Sequence, residues 1–244
     1  MHVPGSSSSR RGAAPFTRSG LVLGLLACLL NLSFTLEVLL PGPARVGATV
    51  VSDLSVPTRP WSWLFRATDA GSALCLLALC IVLLRRRSAL RDRTSAAWTA
   101  ATLATALFAV STVVAAIVTE TCAPATDRAC PTDVTQAPTA DLVHDVVSSI
   151  GSTLGVLAAL VFTVLLRRTR WLSVLHGIAF AAAASSGLVF VAWQAQPHDD
   201  LSGWAQRAQI VALSFWFVVL GVTADRVPAR APSAPDARRE RMRT

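Results

Sequence analysis

The chain has 244 residues, of which 53% are hydrophobic and 15% charged, and its mean hydropathy is +0.53. This composition is too apolar for an ordinary soluble domain and indicates a membrane protein. The net charge of +8 would fit a nucleic-acid-binding protein. The arginines, however, are concentrated in short segments between apolar stretches, so we expect no nucleic-acid partner.

Six apolar stretches are long enough, or nearly so, to cross the hydrocarbon core of a bilayer, which takes about 20 helical residues. None alternates apolar and polar residues with a period of two, so the stretches are typical of helices rather than of barrel strands. The sequence therefore predicts an all-α bundle of six transmembrane helices. The predicted helices are 19–40, 68–84, 96–119, 143–166, 171–193 and 205–224, and the second could begin earlier, at Trp63 or Leu64.

The six helices are expected to form one domain, residues 19–224, between two tails. Residues 1–18 and the Arg/Pro-rich residues 225–244 are predicted to be disordered and cytoplasmic, because they are polar and low in apolar residues. The first helix follows a basic segment, as a signal peptide would. Its apolar stretch of about 22 residues is too long for one and lacks a cleavage site, so we expect the helix to be retained.

The distribution of arginine predicts how the bundle is oriented. If both termini are cytoplasmic, 17 of the 22 arginines lie on the cytoplasmic side. Cytoplasmic loops carry an excess of positive charge, so both termini are predicted to be cytoplasmic. We expect a multi-pass protein of the cell membrane, in a bacterial plasma membrane, with arginines facing anionic headgroups. Membrane lipids are the expected partners, and the sequence does not identify a protein partner.

Two of the five cysteines, Cys122 and Cys130, lie in one predicted outer loop, TCAPATDRACPTD. In an oxidising compartment this spacing favours a local disulfide, and a metal-binding pair is the alternative. The chain has no C-x-x-C or H-E-x-x-H motif, so we predict no metal site and no cofactor.

Ionisable side chains are costly inside a bilayer and are therefore candidates for function. Here they are concentrated near the predicted outer ends of the helices, where we expect one polar pocket. Its predicted residues are Glu37, Ser52, Asp53, Ser55, Asp69, Ser72, His144, Ser148, Gln206 and Arg207. Asp53, Asp69 and His144 are expected to face Arg207, which would pair with one of the two aspartates. Along the fourth helix, His144 and Ser148 share a face with Ser152.

The candidate catalytic residues are His144, Ser148 and Asp53. A base, a hydroxyl and an orienting carboxylate are the groups that hydrolysis of a lipid would require. The alternative is that these groups are helix-end residues that are solvated or favoured by the helix dipole, without any chemistry.

The stretch VSDLSVPTRPWSWLFRATDAG, residues 51–71, resembles the first outer loop of domain of unknown function family 998, a family of bacterial six-helix membrane proteins. The His144–Ser148 pair, the sequence GWAQR at 203–207, and Trp216 fit the same family. The resemblance covers about residues 19–224 and implies a membrane protein without an assigned activity. The Frag1/DRAM-like membrane proteins are the second choice. Distantly similar alkaline ceramidases carry an H-x-x-x-H pair, which this chain lacks.

The function hypothesis is a multi-pass membrane protein whose polar pocket, at the outer leaflet, binds a lipid or a small amphiphile. The alternative is a membrane-embedded lipid hydrolase or transferase that uses the outer Asp/His/Ser cluster, so whether the protein is an enzyme stays open. A transporter ranks third, because the sequence lacks the repeated halves and broken helices that are common in transporters.

Overall fold

A computed structural model of the chain describes residues 18–40, 49–87, 92–123, 127, 130, 137–194 and 201–226. Nearly all of the two predicted disordered tails, 1–18 and 225–244, lies outside these residues. The same is true of most of the loop that contains Cys122 and Cys130.

Six α-helices follow one another along the described residues, and the first is extended by a 3₁₀ helix. They are α1 (Ser19–Asn31), α2 (Ser62–Arg86), α3 (Asp92–Ile117), α4 (Thr139–Leu165), α5 (Arg170–Gln194) and α6 (Leu201–Arg226). Two 3₁₀ helices, η1 (Leu32–Val38) and η2 (Val51–Ser55), lie between α1 and α2. Six helical spans are long and apolar enough to cross a membrane, which confirms the predicted all-α bundle of six transmembrane helices.

The first predicted helix, 19–40, has two parts in the structure. α1 ends at Asn31, and the chain continues as η1 to Val38. Ser33 of η1 lies 2.7 Å from the hydroxyl of Thr68 on α2. Hydropathy does not encode this change of helix type, because the apolar stretch continues through both parts and the polar contact is made to another helix.

Four helices begin four or more residues earlier than the predicted 68, 96, 143 and 205, at Ser62, Asp92, Thr139 and Leu201. The alternative start of the second helix, at Trp63 or Leu64, is within two residues of the observed one. The predictions followed the apolar stretches, whereas the first turns of these helices are partly polar. Trp61 precedes α2 with a left-handed φ of 68° and turns the chain sharply into the helix. Pro138 precedes α4, at a helix start, where its missing N–H is not needed.

The helices form a ring in which each packs against its neighbours in sequence, and α6 closes the ring against α1. α6 is the most buried span: 56% of its membrane-length window is buried, compared with 17–33% for the other five. The even number of helices brings the two ends of the described chain to the same end of the bundle. The carboxylate of Asp225 there accepts the backbone N–H groups of Gly20 and Leu21 at 3.0 and 2.9 Å and caps α1.

Glycines allow α1 and α6 to approach closely. A Cβ added at Gly20 would lie 2.6 Å from the carbonyl oxygen of Gly221, and one at Gly24 would lie 2.5 Å from that of Phe217. No larger residue fits at these separations, which are those of small-residue contacts between membrane helices. The position of α6 relative to α1 is therefore fixed by backbone contact.

A fully paired histidine lies in the core near the Asp225 end. Trp216 donates its indole N–H to Nδ1 of His176 at 2.9 Å, and Nε2 of His176 lies 3.0 Å from the hydroxyl of Thr223. An indole N–H can only donate, so the ring proton of His176 is on Nε2 and is donated to Thr223. Thr223 donates its own proton to the carbonyl of Val219 at 2.8 Å, and Phe162 stacks on the imidazole. We call His176, Trp216, Thr223 and Phe162 the His176 network.

The predicted disulfide between Cys122 and Cys130 is present, with a Cα separation of 5.8 Å. Just before it, Thr121 donates its backbone N–H and its hydroxyl to the carboxylate of Asp141, at 2.8 and 3.1 Å. These bonds attach the chain that leaves α3 to the first turn of α4.

Candidate binding cavity

A cavity of about 650 Å³ lies at the end of the bundle that carries η2, called the η2 end below. All six α-helices and both 3₁₀ helices contribute to its wall. Along α4 the wall extends from His144 to Leu157, which is about 20 Å of helix. Its volume falls within the ~300–1,000 Å³ that is usual for small-molecule sites.

The cavity wall has a polar part and an apolar part. The polar part lies at the η2 end and includes Ser52, Ser55, Asp69, Glu120, His144, Asp145, Ser148 and Gln206. The apolar part lies along α3 to α6 and includes Phe108, Val156, Leu157, Ala183, Leu188, Val191 and Leu213. Leu188 and Val191 lie in the last turns of α5, towards the η2 end, and the others lie deeper. Uncharged polar side chains also line the wall: Ser111, Thr112, Ser152, Thr153 and Gln209. The ionisable side chains of the described wall, Asp69, Glu120, His144 and Asp145, all lie towards the η2 end, and the wall deeper in the bundle carries no charge.

The apolar part opens sideways between α4 and α5. Leu157, Leu188 and Val191 line the cavity, and yet their exposed fractions are 48%, 73% and 68%. Nearer the turn that joins these helices, the gap is closed, because Ser173 donates to the carbonyl of Thr163 at 2.8 Å. The opening therefore faces the region that the bilayer occupies around a membrane bundle. We call it the lateral opening, defined by Leu157, Leu188 and Val191.

His144 is held by the backbone of α3. Its Nδ1 lies 2.8 Å from the carbonyl oxygen of Val118 and 3.2 Å from that of Ala115. A carbonyl only accepts hydrogen bonds, so Nδ1 carries a proton. This orients Nε2 towards the carboxylate of Glu120, whose Oε1 is 3.9 Å away.

Glu120 follows α3 and lies at the polar end of the cavity. Its Oε2 is buried, with no hydrogen-bond partner among the described residues. Burial is the main cause that raises the pKa of Glu120, and the nearby carboxylates of Asp145 and Asp141 raise it further. His144 and a hydrogen bond from Ser52 lower the pKa and so oppose this rise, His144 more strongly. The carboxylate is thus enclosed and only partly compensated.

Asp53 of η2 is 2% exposed, and neither of its carboxylate oxygens has a hydrogen-bond partner among the described residues. Burial raises the pKa of Asp53 to about 7, and the nearby Glu120 contributes to the rise. Arg59 and Arg207 oppose it. We call Asp53, Asp69, Glu120, His144 and Asp145 the acidic cluster.

Arg207 pairs with Glu37, so the expectation that it pairs with Asp53 or Asp69 is wrong. Its Nε and Nη2 donate to the two carboxylate oxygens of Glu37 at 2.9 and 2.7 Å, and Nη1 donates to the carbonyls of Thr49 and Gly203. Both side chains of the pair are less than a tenth exposed. The sequence did not indicate this pair, because the 3₁₀ geometry of η1 decides which way Glu37 points.

The family of the chain follows from its sequence over the whole bundle. Residues 21–223, which include nearly all of the six helices, match the family described as "Protein of unknown function (DUF998)". The chain belongs to the DUF998 family. This confirms the family that the segment 51–71 indicated. No curated protein and no solved structure matches the chain.

In this DUF998 member, six of the ten predicted pocket residues line the cavity: Ser52, Ser55, Asp69, His144, Ser148 and Gln206. Two of the other four form the Glu37–Arg207 pair beside it. Ser72 donates to the carbonyl of Ala27 at 2.8 Å and joins α2 to α1. Asp53 lies close enough to Glu120 for their charges to interact, outside the wall itself.

Gln206 has a positioning contact in addition to its place in the wall. Its side-chain oxygen accepts the backbone N–H of Val51. Arg207 also holds this segment, because it binds the carbonyl of Thr49 at 2.7 Å. Adjacent residues of α6 therefore anchor η2 over the mouth of the bundle.

The predicted pocket set omitted Glu120, Asp145 and Gln209, all of which line the cavity. Glu120 and Asp145 are charged residues beside helix ends, in the same pattern as Asp69. Gln209 lies one turn after Gln206 on α6, and that i, i+3 spacing could have identified it.

The three candidate catalytic residues, His144, Ser148 and Asp53, are not hydrogen-bonded to one another in the part of the chain that the structure describes. A nucleophile and its base need such contact, although it is often looser in the absence of a substrate. Across the described ranges, no three His, Cys, Asp or Glu side chains are grouped as metal ligands. No contact in the described structure therefore favours the hydrolase alternative.

Proposed function

We propose that this multi-pass membrane protein binds an amphiphile in the cavity, with the polar head at the acidic cluster and the apolar tail towards the lateral opening. The observation that carries the proposal is the order of the wall. The carboxylates and the imidazole of the described wall lie at the η2 end, and the rest of the wall is uncharged and reaches the exposed apolar side chains Leu157, Leu188 and Val191 between α4 and α5. A ligand that enters from the bilayer needs an opening that faces lipid, whereas a water-soluble ligand does not.

The proposal is tested by filling the apolar part with a larger side chain. Ala184→Trp on α5 and Val156→Trp on α4 place an indole in the cavity wall, at positions that are half-buried. Their matched controls are Ala182→Trp and Ile150→Trp, which are exposed positions on the same helices outside the wall. The probe is a fatty alcohol with a diazirine in its chain, added to the protein in phosphatidylcholine nanodiscs and cross-linked by light.

In the wild-type protein and in both controls, we expect labelled peptides to include cavity residues such as Ala183 of α5. Both filling variants should lose most of this labelling and keep the labelling of the outer helix faces. Equal labelling in the filling variants and the controls would mean that the chain has only a surface shell of lipid. The unfolding midpoints of all four variants show whether each one is folded.

We further propose that the η2 end faces the outside of a bacterial plasma membrane and that both termini are cytoplasmic. The support is the placement of 17 of the 22 arginines on the side of the termini. The Cys122–Cys130 disulfide at the η2 end is consistent with an oxidising compartment. Phosphatase and fluorescent-protein fusions at the C-terminus and in the 120–142 loop test the orientation, and an exported C-terminus would contradict it.

A further inference from the structure

We infer that the amphiphile bound in this cavity carries a positively charged amine as its head group. The inference rests on the proposed function and adds the charge of the ligand to it. It follows from the charges of the cavity wall, from the engagement of the nearby arginines and from buried acceptors that have no donor.

The wall of the cavity is acidic. Asp69 of α2, Glu120 after α3 and Asp145 of α4 each place a carboxylate in it. Among the described residues, no arginine lines it, and the chain has no lysine. His144 is the one basic side chain in the described wall, and its Nδ1 proton is committed to the backbone.

The arginines nearest to this end have other partners or positions. Arg207 donates four of its five N–H groups to Glu37 and two carbonyls, and Arg66 donates its Nε–H to the carbonyl of Ala116 at 2.8 Å. Arg59 lies near Asp53 and outside the wall. Within the described wall, the three carboxylates therefore have no guanidinium to balance them.

Buried acceptors without donors are a second observation, independent of the number of acidic residues. Both oxygens of Asp53 and Oε2 of Glu120 are buried and have no hydrogen-bond partner in the described structure. Buried polar atoms are nearly always paired, so such atoms indicate a missing donor. Asp53 lies outside the wall and near Arg59, whose Nη2 is itself a buried donor without a partner in the described structure. The unpaired acceptor that a ligand in the cavity can reach is therefore Oε2 of Glu120, which lines the wall.

A primary ammonium group provides what this end lacks. It has three N–H donors and one positive charge, as the lysine side chain does, and it is protonated at neutral pH. A carboxylate or phosphate head would bring a like charge to the wall and no donor, and a hydroxyl head would bring one donor and no charge. The apolar part of the cavity would hold the alkyl chain in all three cases.

The test compares three probes that share one alkyl chain: decylamine, decanol and decanoate. Each is titrated calorimetrically against the protein in phosphatidylcholine nanodiscs. Because such probes also partition into the bilayer, binding to the cavity is the difference between the wild type and Ala184→Trp. We expect decylamine to bind the cavity about tenfold or more tightly than decanol, and decanoate more weakly than either, as charge-assisted hydrogen bonds predict.

Replacing single carboxylates of the wall by their neutral isosteres shows which of them binds the amine. Glu120→Gln and Asp69→Asn should each weaken decylamine by about tenfold and change decanol by less than about twofold. Asp141→Asn is the matched control, since Asp141 is at the same end, is bonded to Thr121 and is outside the wall. It should leave decylamine within about twofold of the wild type.

The outcomes separate the two proposals. If all three probes bind equally and lose binding in Ala184→Trp, an amphiphile site exists and the amine head is refuted. A preference for decanoate, or unchanged decylamine affinity in both isosteric variants, refutes it as well. If no probe distinguishes the wild type from either filling variant, the cavity binds no amphiphile and the proposed function fails with it.

Discussion

The bundle buries two histidines in opposite ways. His176 has a partner on each ring nitrogen, an aromatic ring stacked on its face and no exposed surface. His144 has backbone partners on one nitrogen, and its other nitrogen faces a carboxylate at 3.9 Å beside an open cavity. Unpaired polar groups are costly in a membrane, so the closed network stabilises the fold, and the incomplete one is where we propose that another molecule binds.

The difference extends to the surroundings of the two residues. The His176 network contains no ionic group, and all of its donors and acceptors are accounted for. The acidic cluster gathers four carboxylates around one imidazole, with buried oxygens that have no partner in the described structure. Beside it, the Glu37–Arg207 pair shows that this end can also satisfy a buried charge completely.

The largest expected effect concerns the Glu37–Arg207 pair. Arg207→Ala leaves Glu37 buried without a partner and should lower the free energy of unfolding by about 3–5 kcal/mol. Arg207→Ala combined with Glu37→Ala should cost less than the sum of the two single variants, because no lone charge is then buried. Thermal unfolding in detergent, as a double-mutant cycle, measures the coupling.

The control cycle for this pair combines Arg207→Ala with Asp69→Ala. These residues are not bonded in the structure, so their effects should add to within about 0.5 kcal/mol. Strong coupling to Asp69 and none to Glu37 would show that the described pair does not exist in the membrane protein.

Substitution of the two histidines should separate the two regions. His176→Ala leaves the indole N–H of Trp216 and the hydroxyl of Thr223 without their partner and creates a void, which should cost about 3 kcal/mol or more. His144→Ala frees only backbone carbonyls next to a cavity that water can enter, and should cost about 1 kcal/mol. Both costs are measured as changes in unfolding midpoint under the same conditions.

The affinity for the ligand should depend on the two histidines in the opposite order from stability. His144→Ala should change the affinity for decylamine, because the imidazole lines the cavity, while His176→Ala should not. If the two variants lose equal stability and change the affinity for decylamine equally, the two histidines do not differ in role, and the comparison fails.

The helices could be predicted from the sequence because their length and apolar content are set by the bilayer. Asp69, His144 and Gln206 could be placed in one polar region because each stands near a helix end at the same depth. The partner of Arg207 could not be predicted. Glu37 was expected in a regular first helix, and the 3₁₀ geometry of η1 gives it a different direction.

Two other features depend on tertiary structure alone. Asp53 was predicted to face Arg207 in the pocket, whereas in the structure it is buried without a hydrogen-bond partner because Gln206 and Arg207 hold its segment onto α6. The lateral opening depends on how α4 and α5 diverge from their turn. Each of these helices has the same apolar pattern whether or not they diverge.

A smaller effect than those of Arg207→Ala and His176→Ala is the dependence of stability on pH that Asp53 produces. Its pKa rises from 3.8 to about 7 because of burial first and of Glu120 second, with Arg59 and Arg207 opposing the rise. Between these two values, the folded state binds more protons at this site than the unfolded state does. The contribution of Asp53 to the free energy of unfolding should therefore be highest below about pH 4 and should fall as the pH rises to about 7.

Asp53→Asn removes the ionisation and should flatten this fall, leaving a smaller slope from Glu120, whose pKa is raised in the same direction. Over that pH window, we expect the free energy of unfolding to fall by about 1–2 kcal/mol more in the wild type than in the variant. This is less than the full pKa shift implies, because Arg59 can adjust to a charged Asp53.

Ser55→Ala, a buried and non-titrating change in the same 3₁₀ helix, is the control for disturbance of η2 and should keep the wild-type slope. Unfolding midpoints measured at closely spaced pH values decide the matter. If the wild type instead becomes more stable as the pH rises through this window and Asp53→Asn does not, then Asp53 is paired as a carboxylate, and the acidic cluster is as closed as the His176 network.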